Sequence, residues 1–81
     1  MLDVKEAARR ASEYFAGLYA DQGVSNMQLE EVELTDDGQY WLITLSYPTN
    51  AIFIDANRKY KVFKIDAKTG EVKSMKIRTV G

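Results

Sequence analysis

The sequence predicts a small α+β domain: one N-terminal helix packed on a three- to four-stranded antiparallel meander sheet. Three observations predict it. Apolar residues near the N-terminus recur at helical spacing, the remainder alternates as strands do, and glycine-bearing turns cut that remainder into hairpins. With 81 residues there is room for one core, so residues 1–81 read as a single domain. A chain this short buries only about 60% of the surface its unfolded form exposes. An apolar fraction of 46% is ordinary for a folded domain and too high for a disordered one.

The helix comes first. Val4, Ala8, Ala11, Phe15 and Leu18 follow one another at spacings of four and three and form one stripe. Asp3 occupies an N-cap position and Glu6, three residues on, suggests a capping box. Glu6 and Arg10 stand one turn apart in the favourable order, away from the stripe. The alanines at 7, 8, 11 and 16 allow a close approach to a sheet. Asp21, Gln22 and Gly23 supply the stop, with Gly23 suited to the left-handed C-terminal position.

Residues 27–34 read as a strand whose apolar parity changes. Met27 and Leu29 share one parity and Val32 and Leu34 the other, so either a β-bulge lies at Glu30–Glu31 or the strand begins near Leu29. Thr35-Asp36-Asp37-Gly38 is a turn in which the glycine takes positive φ. In residues 40–47, Trp41, Ile43, Leu45 and Tyr47 line the expected core face, while Tyr40, Leu42, Thr44 and Ser46 line the other. Pro48 closes that strand.

Residues 49–57 read either as a short strand or as an apolar loop. A further strand spans 58–66, with Tyr60 and Val62 on one side and Phe63 and Ile65 on the other. A tight hairpin at Ala67-Lys68-Thr69-Gly70 leads into the last strand, 71–80, with Met75 and Ile77 inward and Lys76 and Arg78 outward. The helix should lie across one sheet face and leave the other partly solvated.

Composition narrows the function. With no cysteine, neither a disulfide nor a thiolate metal site is available, and with no histidine the commonest general base and metal ligand is missing. The four serines have only lysine as a candidate base, and no motif supports such a pair. Glu30 and Glu31, as strand neighbours, are expected on opposite faces and so unable to share a substrate. Asp36 and Asp37 sit in a turn, where aspartate is favoured for backbone reasons. The glycines at 17, 23, 38, 70 and 81 each stand alone, so there is no phosphate-cradling loop. No enzyme activity, cofactor or metal is expected. Charges at Asp3, Lys5, Glu6, Arg9 and Arg10 interrupt the first twenty residues, which resemble neither a signal peptide nor a membrane span, so a soluble chain is expected.

The net charge of −1 hides an asymmetry. Residues 1–57 hold three basic residues against ten acidic ones, whereas residues 58–81 hold eight basic against Asp66 and Glu71. Acidic and basic strands lying side by side would neutralise each other. Alternatively, the basic set interleaved with Tyr60 and Phe63 (Arg58, Lys59, Lys61, Lys64, Lys68, Lys73, Lys76 and Arg78) would track a phosphate backbone. Parity opposes one continuous stripe, because Lys59 and Lys61 share a face with Phe63 and Ile65. Lysines on an edge strand also guard against aggregation.

Residues 60–72, YKVFKIDAKTGEV, resemble the closing hairpin of PepSY-type domains, small modules that end in a strand, an Asp-x-x-Thr-Gly-Glu turn and a strand. The alanine-rich helix and the strand around residues 31–34 stand in compatible order, and the resemblance is carried mainly by residues 58–78. One helix wrapped by a meander is also similar to the cystatin architecture. Residues 47–57 depart from the PepSY pattern, and so does the absence of a signal sequence. The resemblance implies a non-enzymatic, mostly extracytoplasmic module that binds or restrains a peptidase.

Two places are therefore candidates for function. The segment containing Tyr47, Pro48, Ile52, Phe53 and Ile54 would present large apolar side chains to a protein partner if it is a loop; as a strand it would join the core, leaving the exposed sheet face for the partner. A second copy of the chain would bind through this segment or through an edge strand. The basic hairpin, through Arg58, Lys59, Lys61, Lys73, Lys76 and Arg78, would serve nucleic acid instead.

Overall fold

A computed structural model describes residues 1–18, 27–48 and 58–78, with Arg58 described by its backbone alone. The described residues form one helix, α1 (Val4–Leu18), and four strands, β1 (Gln28–Leu34), β2 (Tyr40–Pro48), β3 (Arg58–Asp66) and β4 (Val72–Arg78). The strands form one antiparallel sheet in the order β1-β2-β3-β4, the α+β meander that the alternation predicts. The expected helix stop at Asp21–Gly23 and the strand-or-loop question at residues 49–57 lie outside the described residues, as do residues 79–81.

Helix α1 is capped by the Asp3 carboxylate, which accepts the Glu6 backbone N–H at 2.9 Å. The second half of a capping box is replaced. The Glu6 carboxylate turns outward to accept hydrogen bonds from Arg9 and from Arg10, the latter at 3.0 Å. The buried line of α1 is Ala7, Ala11 and Phe15, with Ala8 partly buried beside it. The expected stripe is thus corrected at its ends: Val4 is only half-buried and Leu18 is 52% exposed. Alanine at 7 and 11 lets the helix sit close, so the sheet meets its middle more than its ends.

Ile43 and Leu45 of β2 and Phe63 and Ile65 of β3 complete the core, with Trp41, Tyr47, Val72 and Met75 packed around it. The Phe15 ring joins the layers, 5.9 Å from Phe63 and 5.0 Å from Tyr47 between ring centroids. Ile77, expected inward, is instead 77% exposed. The reason is width. A helix is about 10 Å across, while four strands about 4.8 Å apart present a wider face. Helix α1 therefore covers the central strands best and leaves Leu29, Val32 and Ile77 on the flanks of its own side exposed.

Both sharp turns use glycine as the sequence predicts. Gly38 has φ 72° and Gly70 φ 77°. Asp37 accepts the Thr35 hydroxyl at 2.7 Å and the Gln39 N–H at 3.0 Å, and Asp66 accepts the N–H groups of Lys68 and Thr69 at 2.8 and 3.0 Å. The helix entry is tied to both hairpins. The Leu2 N–H donates to the Ala67 carbonyl at 2.7 Å, the Trp41 indole donates to the Leu2 carbonyl at 3.0 Å, and the Ala67 N–H donates to the Gln39 carbonyl at 2.9 Å.

Candidate functional site

Strand β1 carries the irregularity that the change of parity signals. Leu29 pairs with Leu45 and Glu31 with Thr44, so Glu30 is the extra residue of a bulge. The bulge brings Leu29, Val32 and Leu34 onto the helix side, where their cross-strand partners Leu45, Ile43 and Trp41 stand. It also overturns the expectation for Glu30 and Glu31. Glu30 accepts the Ser46 hydroxyl at 2.6 Å, while Glu31 pairs with Arg78 at 2.8 Å, and Arg78 also donates to the Thr44 hydroxyl at 3.2 Å. Ser46 and Thr44 belong to the side away from the helix, so both carboxylates reach that one face.

That face is less solvated than alternation alone implies. Thr44 is 3% and Ser46 0% exposed, although α1 lies on the opposite face. Arg78, coming from β4, and Glu30 and Glu31, coming from β1, fold across these short side chains. A shallow groove of about 170 Å³ remains between Glu31, Glu33, Leu42, Thr44, Val62 and Arg78. Two of its charged groups, Glu31 and Arg78, pair with each other, and among the described residues no buried side-chain polar atom lacks a partner. No group of three or more Asp or Glu side chains among the described residues is placed to hold a metal ion.

The basic set is dispersed. Lys59 and Lys61 face the helix side opposite Tyr47 and Leu45, and Lys61 is buried at 9% exposure. Lys64 lies over the Tyr40 ring at 4.3 Å, and Lys73 pairs with Glu71 at 3.0 Å. Arg78 is held by Glu31 and Thr44. Lys76 is exposed on the opposite side from Lys61, and Arg58 pairs through its backbone with Pro48. The described side chains among them occupy two faces and form no single stripe.

Of the apolar segment, Tyr47 is half-buried with its ring against Phe15, and Pro48 ends β2; Ile52, Phe53 and Ile54 lie outside the described residues. The surface that the sequence reading passed over is strand β1. Among the described residues it has one sheet neighbour, β2, and its first six residues are all exposed. On its helix side Leu29 is 53% and Val32 42% exposed. The signal was present: a bulge at Glu30 aligns Leu29 with Val32 and Leu34, and one helix is too narrow to cover them.

Comparison of the chain with family models, curated proteins and solved structures finds no match. Among the described residues, no helix is long and apolar enough to cross a membrane.

Proposed function

We propose that this chain is a non-enzymatic protein-binding domain, PepSY-like in kind, which takes an extended segment of its partner along the outer edge of β1. The observation that carries this reading is the edge itself, a strand with one neighbour among the described residues that displays Leu29 and Val32 beside the helix. Strand addition supplies main-chain hydrogen bonds, and alternate side chains supply the selection. The PepSY-like turn and strands of residues 58–78 support the reading, with a peptidase or a second copy of the chain as the kind of partner. Its chemistry requires no cofactor. The segment at residues 48–54 is the second contact we assign to the same partner.

The test is capture from source lysate by immobilised protein at low and high salt. Wild type is compared with Leu29→Ser/Val32→Ser and with Ile52→Ser/Phe53→Ser, each first shown to be folded by circular dichroism. A protein held by wild type in both salts and lost by the β1 variant is the expected result, because apolar contacts persist as salt rises. Equal capture by all three proteins would overturn the assignment to these surfaces. Nucleic acid captured at low salt, released at high salt and retained by both variants would transfer the function to the basic hairpin.

A further inference from the structure

The two outer strands of the sheet are opposites. Strand β1, QLEEVEL, carries three glutamates and no basic residue; β4, VKSMKIR, carries two lysines and an arginine and no acidic residue. Because each neighbouring pair in β1-β2-β3-β4 is antiparallel, β1 and β4 run in opposite directions. A second copy that extends the sheet therefore meets β4 with its own β1 in the antiparallel sense already used throughout.

The faces match as well. On the helix side, β4 presents Val72, Met75 and Ile77, and β1 presents Leu29, Val32 and Leu34. Away from the helix, β4 presents Ser74, Lys76 and Arg78, and β1 presents Gln28, Glu31 and Glu33. Joining the edges would cover Ile77, Leu29 and Val32, three of the large apolar side chains left exposed, and would set the exposed Lys76 of one copy against the exposed Glu33 of the next. Joining like edges would not. Two β1 strands would oppose glutamate to glutamate, and two β4 strands lysine to arginine, which costs free energy in either case. Charges guard an edge only against an edge of the same sign.

We infer that the partner for the β1 edge is the β4 edge of a second copy of this chain, giving a head-to-tail, sheet-continuing association rather than a twofold dimer. This inference rests on the reading of β1 as a binding edge and names its occupant. Helix α1 of either copy leaves room for it. Four strands repeat over about 19 Å, wider than a helix of about 10 Å.

The experiment is sedimentation equilibrium of the full chain over a wide concentration range at low and high salt, with Glu33→Lys, Lys76→Glu and the double variant. Glu33 and Lys76 are exposed and lie outside the ion pairs described above, so the variants are expected to fold, as circular dichroism will confirm. Wild type should grow in mass with concentration beyond two copies. Each single reversal should weaken association by more than about tenfold. The double variant, with both signs exchanged, should restore it, as should an equimolar mixture of the two single variants. A constant monomer mass at the highest concentration, saturation at two copies, or indifference to either reversal would overturn the inference. The lysate capture separates this outcome from the broader reading: a foreign protein lost by Leu29→Ser/Val32→Ser keeps the β1 edge as a binding site even if copies do not associate.

Discussion

Phe15 is where the two layers meet, at 1% exposure between Phe63 and Tyr47. Truncating such a ring leaves a cavity as well as lost transfer free energy. Phe15→Ala is expected to cost about 3–5 kcal/mol, a large part of a small domain's stability, and urea denaturation will measure it. The two turn glycines give a finer comparison. Both positive φ values strain any other side chain, by about 1–2 kcal/mol. A methyl group at Gly38 meets nothing within 4 Å, whereas one at Gly70 would lie 2.7 Å from the Arg10 guanidinium and 3.0 Å from Leu2. Gly70→Ala should therefore lower the melting temperature more than Gly38→Ala, though a flexible arginine end yields readily. Asp66 adds a dependence on pH. The Thr69 N–H, and then the Lys68 N–H, hold its carboxyl below the ordinary aspartate value. Asp37 is lowered by the Thr35 hydroxyl and the Gln39 N–H, and Glu6 by Arg9 and Arg10. A carboxyl lowered on folding stabilises above its unfolded pKa, about 4, and that contribution is lost as pH falls through the folded value. Stability should stay level from neutral pH down to that point and then fall, and Asp66→Asn should make the acid limb shallower in urea melts taken across pH.

At the scale of elements, α1 depends on its cap and β1 on its bulge. Asp3→Ala removes the acceptor for the Glu6 N–H and should cost about 1 kcal/mol. The bulge makes a sharper prediction. Because Leu29 and Glu31 already pair with the adjacent residues Leu45 and Thr44, deleting Glu30 leaves every pairing in place and removes the hydrogen bond to Ser46. The shortened chain should fold with a loss of about 1–3 kcal/mol. Deleting Val32 instead exchanges the faces of the residues before it, carrying Leu29 away from the helix and Glu31 toward it, which registered strands do not tolerate. Circular dichroism and urea melts of the two deletions test this directly. Most of this level was readable locally. The turn at Thr35-Asp36-Asp37-Gly38, the parity of Trp41, Ile43, Leu45 and Tyr47, and the bulge itself all follow from residue type and spacing.

For the whole molecule, the helix entry, the β1–β2 turn and the β3–β4 turn are bound together through Leu2, Trp41, Gln39 and Ala67. Neither hairpin can open without breaking bonds that the other needs. Unfolding should therefore be a single transition, with Trp41 fluorescence and far-ultraviolet circular dichroism coinciding. Separate midpoints would show that the C-terminal hairpin opens independently. The charge asymmetry of the two halves also takes its form at this scale. An acidic β1 and a basic β4 stand at opposite edges of the sheet, with Arg78 and Glu31 joined across the face between them. That pair is well exposed, so Arg78→Met should change stability by no more than about 1 kcal/mol.

By itself the sequence determined the class of fold, the identity of each described strand, the capped helix start and the two glycine turns, because periodicity and turn chemistry act between residues close in the chain. Tertiary structure alone decided which apolar residues are covered. Leu18, Leu29, Val32 and Ile77 carry the signature of core residues yet stand exposed, since one helix is narrower than four strands. It also decided that Thr44, Ser46 and Lys61 are buried and that Glu30 and Glu31 reach one face. Those outcomes depend on side chains folding across neighbouring strands and on how the helix lies, relations between residues far apart in the chain.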